Sequence, residues 1–96
     1  MANKKISEKI KEIKEFLSSF GWEEDRFGNL LKEINERNYR FKFNATSVRY
    51  EVLYERNENV WGELGAVKTV REWVRVRSGY YKDIQIKDGK LTGLVR

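Results

Sequence analysis

Four residues of one predicted strand carry the strongest chemical signal in this sequence. Successive side chains of a strand point to opposite faces, so every second residue from position 71 to 77 is expected on one face. These residues are Arg71, Trp73, Arg75 and Arg77. Three basic residues of other predicted strands would join them if the strands are neighbours: Arg40, Lys42 and Arg49. Guanidinium groups bind phosphates through paired hydrogen bonds, and an exposed tryptophan offers a flat surface for a base. The pattern predicts a face that binds nucleic acid, most readily single-stranded DNA or RNA.

The same residues allow two other interpretations. Cross-strand ion pairs from Glu51, Glu55 and Glu72 to the arginines would give an ordinary solvated sheet face, with Trp73 covering aliphatic stems. Alternatively, the basic face docks on an acidic protein surface, as expected of a small protein-interaction or inhibitor module. The sequence leaves these alternatives open, because the signal rests on composition alone.

The sequence lacks the side chains on which most catalytic sites depend. It contains no histidine and no cysteine. Ser-His-Asp and Cys-His catalytic arrangements are therefore excluded, and so is a cysteine-ligated zinc site. The acidic residues at 23–25, and Asp83 with Asp88, do not have the spacing of a calcium-binding loop. We expect a non-enzymatic protein with no metal and no cofactor.

Positive charge is concentrated in the later part of the chain. Residues 1–36 carry 7 basic and 8 acidic side chains, a net charge of −1, whereas residues 37–96 carry 13 basic and 7 acidic ones, a net charge of +6. The resulting positive field favours nucleic acid, phosphate or an acidic protein as the partner.

The first predicted element is an amphipathic helix over residues 4–20. Its apolar positions recur at steps of three and four: Ile6, Ile10, Ile13, Leu17 and Phe20. Gly21 supplies the left-handed stop, and Trp22 can fold back onto the last turn. Charged residues interrupt the apolar ones too often for a signal peptide or a membrane span. The absence of cysteine also fits a cytoplasmic protein.

The remainder of the chain predicts an antiparallel sheet. Residues 27–34 fit a helix or a strand equally well, and this alternative stays open. From residue 39 the apolar positions alternate, which predicts strands over 39–44, 48–55, 70–78, 82–87 and 91–95. A polar loop is expected at 56–59, an irregular connection at 60–66 and a tight hairpin turn at Asp88-Gly89. Tyr80 and Tyr81 are adjacent, so one of them is expected to be exposed.

The predicted fold class is α+β, with the N-terminal helix packed on one face of a four- to five-stranded antiparallel meander. No boundary or linker divides the chain, so residues 1–96 are expected to form a single domain. An uncovered edge strand would also allow a homodimer.

Overall fold

The chain has an α+β architecture, which the computed structural model describes for residues 5–59 and 67–96. One helix, α1 (Ile6–Ser18), precedes a five-stranded antiparallel sheet in which each strand pairs with the next one along the chain. The strands are β1 (Glu23–Glu24), β2 (Leu30–Ile34), β3 (Arg37–Phe43), β4 (Ser47–Asn59) and β5 (Val67–Tyr80). A 3-10 turn (Tyr81–Asp83) leads to a separate hairpin of β6 (Gln85–Lys87) and β7 (Lys90–Thr92). The predicted helix and antiparallel meander are confirmed.

Helix α1 ends where the sequence predicts a left-handed stop. Gly21 has a φ of 93°, and the backbone N–H of Trp22 donates to the carbonyl of Leu17 across 3.3 Å. This bond folds Trp22 back, so that its ring is buried and meets Phe41 edge-on with 4.7 Å between ring centroids. The helix buries Ile13 and Leu17.

Residues 27–34 form a turn and a strand, which settles the ambiguity left by their pattern. Gly28 has a φ of 81°, a conformation that does not continue a helix. The Asp25 carboxylate accepts hydrogen bonds from the backbone N–H groups of Phe27 (2.8 Å) and Asn29 (2.9 Å). These bonds close a turn that pairs β1 with β2.

A cluster of buried apolar side chains combines residues of α1, the sheet and the C-terminal segment. Its members are Ile13, Leu17, Trp22, Leu30, Phe41, Val48, Tyr81 and Ile84. We call the sheet face that carries Phe41, Val48 and Tyr50 the core face, and the opposite one the outer face. Directly paired residues of neighbouring strands lie on the same face, so the register assigns each strand residue to one of the two.

Strands β4 and β5 extend well beyond β3. The last pair between β3 and β4 is Tyr39 with Val52, whereas β4 and β5 pair as far as Asn59 with Val67. We call the two-stranded extension, residues 53–59 and 67–73, the arm. The expectation of a polar loop at 56–59 is therefore wrong, because these residues belong to β4. The connection expected at 60–66 lies outside the described residues. The molecule measures 65 × 25 × 24 Å.

The C-terminal segment begins with a 3-10 turn instead of the strand expected from residue 82. The tight turn predicted at Asp88-Gly89 is confirmed, with φ values of 53° and 71°. Val95 then returns to β5, where it exchanges two backbone hydrogen bonds with Ser78 (2.9 and 2.8 Å). None of the described helices is long and apolar enough to cross a membrane.

Candidate binding face

A β-bulge in β5 divides the four residues that were expected to share one face. Tyr50 pairs with Arg77, but the next residue of β4, Glu51, pairs with Arg75, so Val76 is an extra residue in β5. The bulge reverses the alternation, and Arg77 lies on the core face opposite Tyr50. The expectation that Arg77 joins Arg75 on one face is therefore wrong.

The remaining predicted residues occupy the outer face of three adjacent strands. Arg40 and Arg75 flank Glu51 from either side, and Lys42 is paired with Arg49. Trp73 pairs with Leu53 and lies two residues from Arg75 along β5, on the same face. We call the group formed by five of them the basic face: Arg40, Lys42, Arg49, Trp73 and Arg75.

A single buried carboxylate lies in the middle of the basic face. Glu51 is 3% exposed, and its Oε1 accepts a hydrogen bond from Arg40 Nε across 2.7 Å. Its Oε2 lies 3.5 Å from a terminal guanidinium nitrogen of Arg49. Burial of a carboxylate is tolerated here because two guanidinium groups compensate its charge. Glu51 thereby fixes the positions of two of the face's four cations.

Arg40 also covers Trp73. The guanidinium carbon lies 4.4 Å from the centroid of the indole ring, at cation–π distance. One face of the indole is therefore occupied by the protein's own arginine. A nucleic-acid base that stacks at this position would meet the guanidinium plane of Arg40, which is itself a stacking surface.

The basic face retains uncompensated positive charge. Within the described residues, neither Lys42 nor Arg75 has a carboxylate at ion-pairing distance, and Arg75 donates only to the hydroxyl of Ser78 (3.1 Å). Arg49 Nε is buried and has no hydrogen-bond partner in the described part of the chain. Four cations and one carboxylate give the face a net charge of +3. An anion with several acceptor oxygens would satisfy these donors.

Arg71 differs from these residues because its charge is compensated. Its Nε lies 2.9 Å from Glu55 Oε1, on the outer face of the arm. Glu72 in turn lies 3.9 Å from Arg56, across the same two strands. The interpretation based on cross-strand ion pairs thus holds for Arg71 with Glu55 and for Arg40 with Glu51, whereas Arg49 contacts Glu51 within β4. It does not extend to Lys42 and Arg75 among the described residues.

The two adjacent tyrosines have opposite environments. Tyr80 is 58% exposed and lies beneath the ammonium group of Lys82, whereas Tyr81 is 2% exposed. The Tyr81 hydroxyl donates to the carbonyl of Asn44 across 2.7 Å. Burial raises the pKa of Tyr81 to about 12, so this side chain is a neutral structural donor near neutral pH.

The sequence predicts Glu51 as an ion-pair partner of arginines, but not its burial at the centre of the basic face. Its place between Arg40 and Arg75 depends on the pairing of β3, β4 and β5, which the residue pattern alone does not define. The available signal was its position in strict alternation with Val48, Tyr50 and Val52, which assigns Glu51 to the face opposite the core.

Carboxylates do not form a metal site in the described residues, where no three of them lie close enough together to hold an ion. In the acidic stretch at 23–25, Asp25 instead closes the turn before β2, and Glu24 lies 3.4 Å from the ammonium group of Lys14. These contacts give structural roles to two of the acidic side chains singled out in the sequence.

Comparison with known proteins gives no match for this chain. No family model matches it, and neither a curated protein nor a solved structure does. The properties of the basic face are therefore the basis for a functional proposal.

Proposed function

We propose that the domain is a non-enzymatic binding module whose basic face binds nucleic acid, most readily single-stranded DNA or RNA. The observation that carries the proposal is the gathering of four cations from three adjacent strands around one buried carboxylate. Lys42 and Arg75 supply charge without a carboxylate partner among the described residues, and Arg49 Nε is a donor without an acceptor there. Phosphate oxygens of a nucleic-acid backbone would supply those acceptors.

Stacking of Arg40 on Trp73 suggests how a base would be held. The guanidinium of Arg40 is fixed from one side by Glu51 and rests on the indole ring. A base placed on this pair would stack on a surface that is already ordered, so little side-chain entropy would be lost on binding. Unpaired bases have exposed faces for such contact, which favours a single-stranded ligand.

The first test is a titration of labelled single- and double-stranded DNA and RNA oligonucleotides, followed by fluorescence anisotropy at low and at physiological salt. Replacement of Arg75 by Glu should weaken binding roughly tenfold or more for all sequences, and the logarithmic salt slope should fall by about one for each lost phosphate contact. Lys42→Glu should act in the same direction.

Arg77→Glu is the matched control. It makes the same change in net charge on the same strand, but on the core face. A clearly smaller effect of Arg77→Glu than of Arg75→Glu supports a binding surface on the outer face. Equal effects, or no saturable binding at physiological salt, would overturn the proposal.

An acidic protein surface is the second candidate partner. The favouring observation is that Arg40 and Arg49 already bind a carboxylate, that of Glu51. A synthetic polyglutamate peptide of the same charge as the oligonucleotide separates the candidates in a competition experiment. A nucleic-acid module should prefer the oligonucleotide strongly at physiological salt, whereas a protein-docking module should bind the peptide at least as well.

The cellular setting belongs to the proposal as well. A cysteine-free chain fits a reducing compartment, so we place the module in the cytoplasm. Self-association into a homodimer is compatible with binding at the basic face, because the free edges of the arm are separate from Lys42 and Arg49.

A further inference from the structure

The molecule exposes more surface than a compact monomer of its mass. Its accessible surface is 7624 Å², whereas a compact chain of 11.5 kDa is expected to expose about 5,800 Å². Its radius of gyration is 16.9 Å, compared with roughly 12.5 Å for a compact domain of 96 residues. The excess of about 1,800 Å² is about twice the roughly 800 Å² that each partner buries in a standard protein interface.

The arm extends beyond the last pair between β3 and β4 and has free strand edges. Each of its strands contributes seven residues beyond the last β3 pair, a length of roughly 23 Å. Among the described residues, no strand pairs with the open edge of 53–59 in β4. In the described part of the chain, the open edge of β5 has its first backbone partner at Ser78, which pairs with Val95. Tyr54 and Val67 expose 49% and 58% of their surface on this arm. Free edges with exposed apolar side chains are surfaces to which another strand can add.

Charge indicates which partner the arm accepts. Its described residues carry three basic and three acidic side chains, a net charge of zero in a chain of net charge +5. Most of these charges are already paired within the arm, as Arg71 is with Glu55 and Arg56 with Glu72. Two copies of this basic chain would repel each other through their basic faces, but not through a neutral arm.

We propose that the arm is a homodimerisation element, through which a second copy of this chain pairs with the first. The same surface on both copies gives a two-fold interface, the commonest arrangement of soluble homodimers. Pairing along one edge of the arm would cover its open backbone groups together with the exposed apolar residue of that edge strand, Tyr54 for β4 or Val67 for β5. It would bury part of the excess surface and leave Lys42 and Arg49 of both basic faces free.

The test is the solution mass of the whole chain without nucleic acid, measured by light scattering over a range reaching about 100 µM. The wild type should have twice the chain mass at the upper concentrations. Tyr54→Lys should return it to the monomer mass if the copies pair through β4, and Val67→Lys should do so if they pair through β5. Val95→Lys, which makes the same charge change at a residue that is 64% exposed outside the arm, should leave the dimer intact. Circular dichroism verifies that each variant is folded.

A distance measurement identifies the contact surface. Because the chain has no cysteine, a spin label can be attached at a single introduced one, Thr69→Cys in the arm or Lys87→Cys in the C-terminal hairpin. The proposed dimer gives a shorter distance between the two Thr69→Cys labels than between the two Lys87→Cys labels. A monomer at all concentrations, a dimer that survives both arm substitutions, or the reverse order of distances overturns the proposal.

Discussion

At the residue scale, the carboxylate of Glu51 is expected to stabilise the fold more than any exposed acidic residue of the arm. Glu51→Ala would remove the acceptor of Arg40, whose side chain is only 19% exposed, and leave a largely buried guanidinium without its partner. We expect the free energy of unfolding to fall by about 2 kcal/mol. Urea denaturation of the purified variants measures this change.

Glu55→Ala provides the comparison for that measurement. It removes an ion pair with Arg71 in which both side chains are more than half exposed, so the loss should stay below about 1 kcal/mol. If both substitutions cost the same free energy, Glu51 does not have the compensating role in the basic face that its burial indicates.

Tyr81 should make the stability of the protein depend on alkaline pH. Its pKa is about 12 in the folded protein, compared with 10.0 for an unperturbed tyrosine, so the folded state holds the proton more tightly. The contribution of the neutral side chain is fully present below pH 10 and is lost as the pH rises from 10 towards 12. Burial also raises the pKa of Tyr50, which adds to the loss in the same direction.

Melting temperatures between neutral pH and pH 12 test this expectation. Tyr81→Phe should lower stability at neutral pH by about 1 kcal/mol, because the bond to Asn44 is lost. It should also show a smaller decrease at alkaline pH than the wild type. Tyr80→Phe, the exposed neighbour, should follow the wild-type curve. Parallel curves for wild type and Tyr81→Phe would contradict the assigned cause.

At the element scale, the C-terminal segment depends on a glycine that no other residue can replace without a large loss. Gly93 has a φ of 97°, and a Cβ there would lie 2.8 Å from the carbonyl carbon of Asp83 and 2.9 Å from Cα of Ile84. Because Gly93 has no side chain, the backbone that follows β7 can lie against the end of the 3-10 turn before Val95 pairs with Ser78. Gly93→Ala should therefore lower the free energy of unfolding by about 3 kcal/mol or more, from strain and steric overlap together.

Gly89→Ala separates backbone strain from steric overlap. Gly89 has a φ of 71°, but no atom lies within 4 Å of the position of an added Cβ. Its replacement should cost only about 1 kcal/mol, the conformational penalty alone. Equal losses in urea denaturation would show that steric contact with residues 83 and 84 is unimportant.

The sequence predicts elements well where one physical signal dominates. The three- and four-residue spacing of the helix and the left-handed stop at Gly21 are sufficient to define α1 to within two residues at its C-terminal end. Residues 27–34 lacked such a signal, because Gly28 weakens a helix and also suits a turn. The deciding contact, Asp25 to the backbone of Phe27 and Asn29, depends on side-chain geometry.

Pairing between strands determines how far β4 extends and on which face Arg77 lies, and the residue pattern alone defines neither. Residues 56–59 have no apolar alternation, so they were expected to form a loop, yet they continue β4 through contacts such as Asn57 with Thr69 (3.2 Å). The position of Arg77 was wrong because one extra residue, Val76, reverses the alternation of β5. A β-bulge, or a pair of strands with mostly charged and polar residues such as the arm, cannot be recognised from the periodicity of apolar residues.

At the scale of the whole molecule, the fold divides the charge of residues 37–96 among different regions, although the arm and the basic face share the uncharged Trp73. The arm is neutral, the basic face has a net charge of +3, and Arg77 lies on the opposite side of the sheet. A net charge counted along the chain cannot reveal this division, because it depends on which acidic residue each arginine reaches. Glu55 forms an ion pair with Arg71, whereas the single charge of Glu51 is shared by Arg40 and Arg49.

This division allows the two proposed activities to coexist on one small chain. Contact with nucleic acid through Lys42 and Arg75 relies on exposed charge, which salt screens strongly. Pairing along the arm relies on backbone hydrogen bonds and on an exposed apolar side chain, Tyr54 or Val67, and salt screens these interactions little. Two copies paired through their arms would present two basic faces on one assembly. A long nucleic acid could then engage both faces, and the second contact would form at a high effective concentration.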